Sequence, residues 1–378
     1  MNILIINAGS SSLKFKLFQA NKTQIFGSIS NLNMKNGSFQ LFDLHGNLIH
    51  QQHILFNNNN YLEAIDIILN NDNLIDIKLN AIIHRVVHGG DIFRDITQLN
   101  DDVFNKLSRF SSYAPLHQPY NLLIAKTTMD YQPTISNYAC FDTSFHQTIP
   151  ELNRVYAIPW KYTELGIKKY GFHGLSYQYI SSVLEQRQEP GKWIIAHLGS
   201  GCSLCAMNNY ESVSSSMGFS TLDGLPMMTR SGELDVQIPL YLQDKYNLTT
   251  KEVLHILNNE SGLFGICGGS NMEEIIKSNA PRAALAVELF SKQVAAFIAK
   301  LSIDLSGLDG IVFTAGIGAN SPKIRYSICN YLQWLGVAID VNANNTNNLT
   351  INTPNSKIKV LVINTDEEQA MLSQYLAI

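Results

Sequence analysis

No run of apolar residues in this sequence reaches the roughly 18 that a membrane-spanning helix requires, so a spanning role is not expected. The opening stretch Met1-Asn2-Ile3-Leu4-Ile5-Ile6 has no basic region ahead of it and no cleavage pattern after it, and reads as a buried strand rather than a secretion signal. Charge is sparse, at 15% of residues with a formal net charge of -4, and no global basic field marks the chain for nucleic acid. Cysteine is scarce too. The five are Cys140, Cys202, Cys205, Cys267 and Cys329, an odd number spread widely, and Cys202 with Cys205 makes a lone CxxC. No second pair or histidine cluster completes a zinc site, so reduced thiols in the cytoplasm are the expectation. Repeats of solenoid length are absent, and no segment fits GxxxxGK[ST], which removes the P-loop.

What remains is a globular composition, 45% hydrophobic over 378 residues, long enough for two domains. Strand-like and helix-like segments alternate throughout, which makes the class α/β. Strands are expected at 3–7 and 13–18, separated by Ala8-Gly9-Ser10-Ser11-Ser12, and further hairpins over 20–60 end in Asn57-Asn58-Asn59-Asn60. The run Tyr61–Leu69 has helical spacing, Ala81–Val87 reads as a strand stopped by Gly89-Gly90, and Pro119 suits the first turn of a helix. Tyr138–Phe141, Trp193–His197 and Asp309–Thr314 read as buried strands. Pro281 opens a long helical pattern through Leu285, Leu289, Val294, Phe297 and Leu301. The last fourteen residues read as a helix whose Thr365 and Glu368 form a capping box, freeing Glu367 for another task. The domain boundary is expected near residue 145.

Three turns of small residues each follow a buried strand: Gly9 to Ser12, Gly199 to Gly201 and Gly316 to Gly318. Small residues let backbone N–H groups approach an anion closely. One such turn means little, because tight turns favour glycine anyway; three tilt the reading toward nucleotide binding. Arg85 interrupts an apolar strand between His84 and Val86, close to His88, and a buried guanidinium needs a partner. It serves either a buried ion pair or an anion pocket. Arg230, in Met227-Met228-Thr229-Arg230-Ser231-Gly232, raises the same question, with a plain exposed arginine as the default. His117, His146 and His173 lie in turn-rich sequence, where a structural hydrogen-bonding role is the ordinary one. Asp142 ends a strand, a position suited to a catalytic carboxylate or to a helix cap.

Together, INAGSSSLKF (6–15), HRVVHGG (84–90), APLH (114–117), FDTSFHQTIP (141–150), YGFHG (170–174), HLGSG (197–201), MTRSGELD (228–235), VFTAGIG (312–318) and TDEE (365–368) resemble the acetate kinase family, in the wider group of acetate and sugar kinases, heat-shock chaperone and actin. That resemblance implies a two-lobed actin-like (ribonuclease H-like) α/β fold with a mixed central sheet in each lobe and the active site in the cleft between them. The N-terminal lobe would comprise 1–145 plus the final helix 365–378, and the C-terminal lobe 146–364, carrying nucleotide-binding and dimer surfaces. The implied reaction is direct phosphoryl transfer from ATP to acetate by a cytoplasmic homodimer using Mg²⁺ or Mn²⁺, with ADP as product and no nucleic-acid or membrane partner.

Roles carry over from the resemblance position by position. Asn7, Ser10, Ser12 and Lys14 match the first phosphate-facing hairpin, and Asn7 with Glu367 matches residues that help place the metal. Arg85 and Arg230 match an arginine pair gripping acetate and the migrating phosphoryl group, His173 a donor to the phosphoryl oxygens, and Asp142 an essential carboxylate. Val87, Leu116, His117, Phe172 and Thr221 match the carboxylate pocket. His197, Gly199, Ser200, Gly201, Asn271, Met272, Glu273, Gly316, Ile317, Gly318 and Asn320 match the nucleotide site.

This chain departs from the family pattern at Ser200 (usually Asn), Met228 (Gly), Ala319 (Glu), Thr221 (Pro) and Gly269-Ser270-Asn271-Met272-Glu273, where an acid and an arginine are usual. The smaller residue typical of propionate kinases at position 87 is Val here, which favours acetate. Propionate kinase is the near alternative; a sugar kinase using Asp142 as base and a non-enzymatic nucleotide switch are the distant ones.

Overall fold

The computed structural model describes residues 1–9, 12–32, 34–56 and 60–378; Ser10 and most of the Asn57–Asn60 turn lie outside the described residues. The chain divides into two compact units, Met1–Ser144 with Asp366–Ile378, and Phe145–Thr365.

In the first unit, β1 (Asn2–Ala8), β2 (Ser12–Gln19), β3 (Lys22–Ser30), β4 (Asn36–Asp43) and β5 (Leu48–Leu55) form an antiparallel meander. The period-two pattern is plain in β2, where Leu13, Phe15 and Leu17 are buried and Lys14 is exposed between them. On the other side of β1 lie β6 (Ala81–Val86), β7 (Thr97–Gln98) and β8 (Ser136–Phe141). The sheet order among the described residues is β5-β4-β3-β2-β1-β6-β8-β7. Here β1, β6 and β8 run parallel, so all three end on the same side. Parallel neighbours need crossover connections, and the helices Asn60–Leu69 and Gln118–Tyr131 supply them. Proline stands in the first turn of the second, as expected. Leu4, Ile6, Leu13, Phe15, Ala64, Ile68 and Ile124 fill one core of this unit.

The second unit holds β9 (Lys192–Leu198), β10 (Cys202–Asn208), β11 (Glu211–Ser215), β12 (Gly310–Thr314) and β13 (Lys359–Val362), in the order β11-β10-β9-β12-β13. β9, β12 and β13 are parallel, with Thr314 level with His197. The long helix is present as Pro281–Leu305 and packs on β9, β10 and β11; the expected Val294, Phe297 and Leu301 are buried, but the first two expected positions are not. Leu285 and Leu289 are exposed; Ala286, Phe290, Val294, Phe297 and Leu301 face the core. A rival stripe at helical spacing begins with alanines, whose small side chains permit close approach to the sheet. Cys202 and Cys205 lie three residues apart on β10, a spacing that sends them to opposite faces, and both are buried free thiols.

The final helix, Glu367–Leu376, packs on β1 and β6. Its cap is Asp366, whose carboxylate accepts from Gln369 N at 2.9 Å, and not Thr365. Among the described residues the buried hydroxyl of Thr365 has no hydrogen-bond partner, so the expected capping box does not form. Aspartate one position later satisfies the helix N–H groups as well and has a second use: Lys16 Nζ meets both of its oxygens at 2.8 Å.

Candidate active site

Parallel register sets the first cluster of charged groups. Ile6 lies level with His84, and His84 with Ala139, so the residues that follow, Asn7 on β1, Arg85 on β6 and Asp142 just past β8, gather at the carboxyl ends of adjacent strands. Arg85 Nε donates to Asp142 Oδ1 at 2.9 Å and Nη2 to Oδ2 at 2.7 Å, a fork-to-fork pair. Its Nη1 donates to Asn7 Oδ1 at 3.1 Å and lies 3.5 Å from Glu367 Oε2, which also accepts from Asn7 Nδ2 at 3.2 Å. The ion-pair reading of Arg85 therefore holds in the structure, with Asp142 and Glu367 as the acids. Burial works against the guanidinium charge, but Asp142 and Glu367 outweigh it and raise its pKa above the ordinary value. Next to this cluster, Lys16 lies 3.6 Å from Glu368. Burial raises the pKa of Glu368 above that of an ordinary carboxylate, Lys16 opposing and Glu367 and Asp366 adding to it.

Two buried amides brace the loop after Arg85. Asn121 Oδ1 accepts from Val87 N at 3.1 Å while its Nδ2 donates to the Ala8 carbonyl at 2.6 Å. Gln118 clasps both the N–H and the carbonyl of His88 at 3.0 Å. These residues, and Lys16, were not singled out from the sequence. A polar pair at positions i and i+3 on a buried helix face was the available signal.

The second cluster belongs to the second unit. His173 precedes the helix Gly174–Gln186 with a left-handed φ of 57°, unusual for a non-glycine residue. Its ring stacks on His197, with centroids 4.3 Å apart, and its Nδ1 meets Ser203 Oγ at 2.7 Å. A Cβ added to Gly201 would sit 3.4 Å from His173 Nε2 and 3.8 Å from Arg230 Nη1, so both groups border the same small-residue turn. Arg230 is half-buried, unlike the exposed arginine that a loop setting suggests. Its Nη1 donates to the Thr221 carbonyl at 3.1 Å, and burial lowers its pKa, with Cys202 opposing. His146 is fully buried between Ser212 Oγ (2.8 Å) and the Phe172 carbonyl (3.0 Å), a structural role.

Beside this turn is a cavity of about 520 Å³. It gathers Ser200, Asn271, Met272, Glu273, Gly316, Ile317 and Asn320 from the expected nucleotide set, and adds Met228, Ser270, Ile276 and Lys323, with Lys323 Nζ donating to the Ile276 carbonyl at 3.3 Å. The strand register explains the gathering: the turn after β9 and the short helix Ala315–Asn320 after β12, expected as a turn, leave adjacent parallel strands at the same end. Asn271 is engaged as a helix cap, accepting from Glu273 N at 2.9 Å, and Glu273 pairs with Lys277 at 2.5 Å. Gly318 does not line the cavity; a Cβ there would meet the Ala196 carbonyl at 3.4 Å, so it permits close packing of helix on strand. His197 and Gly199 likewise stand outside the lining; a Cβ on Gly199 would sit 3.7 Å from Ala315 Cβ and 4.0 Å from His197 Nε2. Of the remaining expected residues, Ser12 opens β2, with its carbonyl accepting from Gly9 N at 2.7 Å, and Lys14 is exposed on that strand. Ser10 lies outside the described residues. Val87 is buried, Leu116 exposed and His117 half-buried in the first unit; Phe172 is buried and Thr221 half-buried in the second.

The profile of the Acetokinase family matches residues 2–373. The chain belongs to the acetokinase family. Among its relatives, the acetate kinase of Rickettsia felis is 42% identical over 383 residues, covering 97% of this chain and 96% of the relative. A propionate kinase from Francisella tularensis superposes with a TM-score of 0.92 at 36% identity, covering 99% of this chain and 98% of that one. The acetate kinase of Porphyromonas gingivalis superposes at 0.89 with 29% identity, covering 100% and 99%. The acetokinase fold is thus the actin-like α/β architecture of these enzymes, each sheet mixed, and the chain is a carboxylate kinase, a phosphotransferase.

Proposed function

We propose that this acetokinase transfers the terminal phosphoryl group of ATP to acetate, reversibly and in line, giving acetyl phosphate and ADP. The observation that carries the proposal is the Arg85 cluster, a fixed guanidinium held by Asp142, Asn7 and Glu367 at the ends of three parallel strands. A carboxylate is already a nucleophile at neutral pH, so no general base is required. The task is to bring two anions together and to neutralise charge spreading over the equatorial phosphoryl oxygens. Arg85 and Arg230 would draw in the carboxylate and the phosphoryl group, and His173 would donate to the phosphoryl oxygens, all as pre-set electrostatics. Val87, Leu116, His117, Phe172 and Thr221 would form the acyl pocket. Ser10, Ser12 and Lys14 and the turn Gly199 to Gly201 would face phosphates, and the 520 Å³ cavity would take the nucleoside.

Magnesium fits the residues present. Asn7 and Glu367 offer oxygen atoms with Asp142 close by, and among the described residues no cluster of three or more His, Cys, Asp or Glu forms an all-protein cage. Few carboxylates plus substrate phosphates is the usual magnesium pattern, and when bound the ion would neutralise phosphate charge.

Propionate is the second reading, favoured by the name of the Francisella structure. One methylene discriminates by only ~1–3 kcal/mol, so both acids should react, with acetate preferred. The helix Gln237–Tyr246 supports a homodimer: none of its residues is buried, and Ile238, Leu240 and Tyr241 are exposed. The free cysteines fit a reducing cytoplasm.

The experiment is hydroxylamine trapping of acyl phosphate with ATP, GTP or pyrophosphate as donor and acetate or propionate as acceptor. Trapped product from acetate supports the reading, and product from neither acid rejects it. Arg230→Ala should lower kcat by about 10²–10³; near-normal turnover would remove that arginine from the chemistry.

A further inference from the structure

We infer that Tyr177 and Ser203 are positioning residues that fix the tautomer of His173, presenting its Nε2–H as a permanent neutral donor. The inference rests on the proposed role of His173 as donor to the phosphoryl group.

Three linked groups share a fixed number of protons. Tyr177 stands one helical turn after His173, and its N–H donates to the His173 carbonyl at 3.1 Å in the first turn of their helix. The ring is fully buried among Phe145, His146 and His197, and burial pushes its hydroxyl pKa well above the ordinary value, so it remains a phenol. Among the described residues that phenol finds one hydrogen-bond partner, Ser203 Oγ, in a short contact. A buried O–H left without an acceptor is costly, so Tyr177 donates and Ser203 accepts. The proton of Ser203 must then go elsewhere, and the other neighbour of its oxygen is His173 Nδ1 at 2.7 Å. Nδ1 is therefore the acceptor, which leaves the imidazole proton on Nε2.

The surroundings agree. Ser203 and His197 are cross-strand partners on β10 and β9, so the surface that hydrogen-bonds His173 is also the one against which its ring stacks. His197 Nδ1 is likewise engaged by a serine, Ser176 Oγ at 2.8 Å. Two imidazolium rings stacked at 4.3 Å would repel each other, which disfavours charging both at once. With Nδ1 occupied, Nε2 of His173 faces Gly201 and the guanidinium of Arg230, where a developing negative charge would meet two donors together.

The test uses the full chain labelled with ¹⁵N-histidine. Long-range ¹H–¹⁵N correlation reads which ring nitrogen carries the proton, and His173→Gln assigns the signal. The wild type should show His173 protonated on Nε2. Tyr177→Phe should give mixed tautomers, with kcat lower by about threefold to tenfold, the size of one lost hydrogen bond, and the carboxylate KM within about twofold. Ser203→Ala should act in the same direction and Ser203→Thr, which keeps the hydroxyl, should restore both readouts. Glutamine at 173 places its amide N–H near the Nε2 position and should retain more turnover than asparagine. A proton on Nδ1 in the wild type overturns the inference, as does a Tyr177→Phe protein unchanged in both tautomer and kcat. If the wild type makes no acyl phosphate, the proposed function fails, while the tautomer readout still judges the inference.

Discussion

At the scale of single residues, burial divides the histidines by task. His84, His88 and His146 are enclosed, and burial lowers each pKa to about 4, against the Asn137 bond, Asp91 and the Phe172 carbonyl bond respectively. An unfolded chain takes up these protons near pH 6.5, while the folded chain resists until about pH 4. Between those limits the unfolded state binds more protons, so stability rises with pH, is fully present above about 6.5 and drains away toward 4. The slope should reach roughly 1.4 kcal/mol per pH unit for each histidine. Urea midpoints should therefore fall between pH 7 and pH 5, and His146→Asn should flatten the dependence relative to wild type at its own midpoint. A midpoint indifferent to pH over that range would mean the rings are hydrated. Arg85 illustrates the same physics with the opposite sign: its pocket contains acids, which hold its charge, whereas nothing in the strand itself names those acids.

At the scale of elements, the C-terminal helix depends on one residue that serves two ends. Asp366 caps the helix through Gln369 N and anchors Lys16 on β2. Replacing it with alanine should cost about 0.5–2 kcal/mol for the cap and should also release the Lys16 ammonium from its ion pair. Asp366→Asn should recover the cap alone. Thr365→Val, by contrast, removes a buried hydroxyl with no partner and should leave the melting temperature unchanged or raised. Thermal melts of the three variants decide it; a larger drop in Thr365→Val than in Asp366→Ala would restore threonine as the cap. The sequence suggested the threonine because the spacing to Glu368 fits a capping box. Aspartate one position later fits the chemistry of a cap equally well, and in the folded chain it is the aspartate that caps the helix and also meets Lys16. In the long helix Pro281–Leu305 the first turns offer both leucines and alanines, and packing against β10 and its neighbours buries the alanines.

At the scale of the molecule, the exposed apolar face of the helix Gln237–Tyr246 bears on assembly. Sedimentation at micromolar concentration should give twice the 42.2 kDa of one chain, and the pair Ile238→Lys and Leu240→Glu should return it to one. A single-chain mass for the wild type would reject the dimer and leave that face without a partner.

The sequence by itself determined the type and rough position of many elements, though not every end. Strand periodicity, the small-residue turn after β9, and the presence of Arg85, Asp142, His173 and Arg230 were all legible there, because such preferences act over a few neighbouring residues; the small residues after β12 open a helix instead of a turn. Which groups meet was decided only in three dimensions. Asn7 reaches Glu367 across 360 positions of chain through packing of the final helix on β1, and Arg85 finds Asp142 across 57 through the register of parallel strands; neither carries a local mark. The proton on His173 is more remote still from any motif, since it depends on a tyrosine's need for an acceptor inside a core that exists only once the chain has folded.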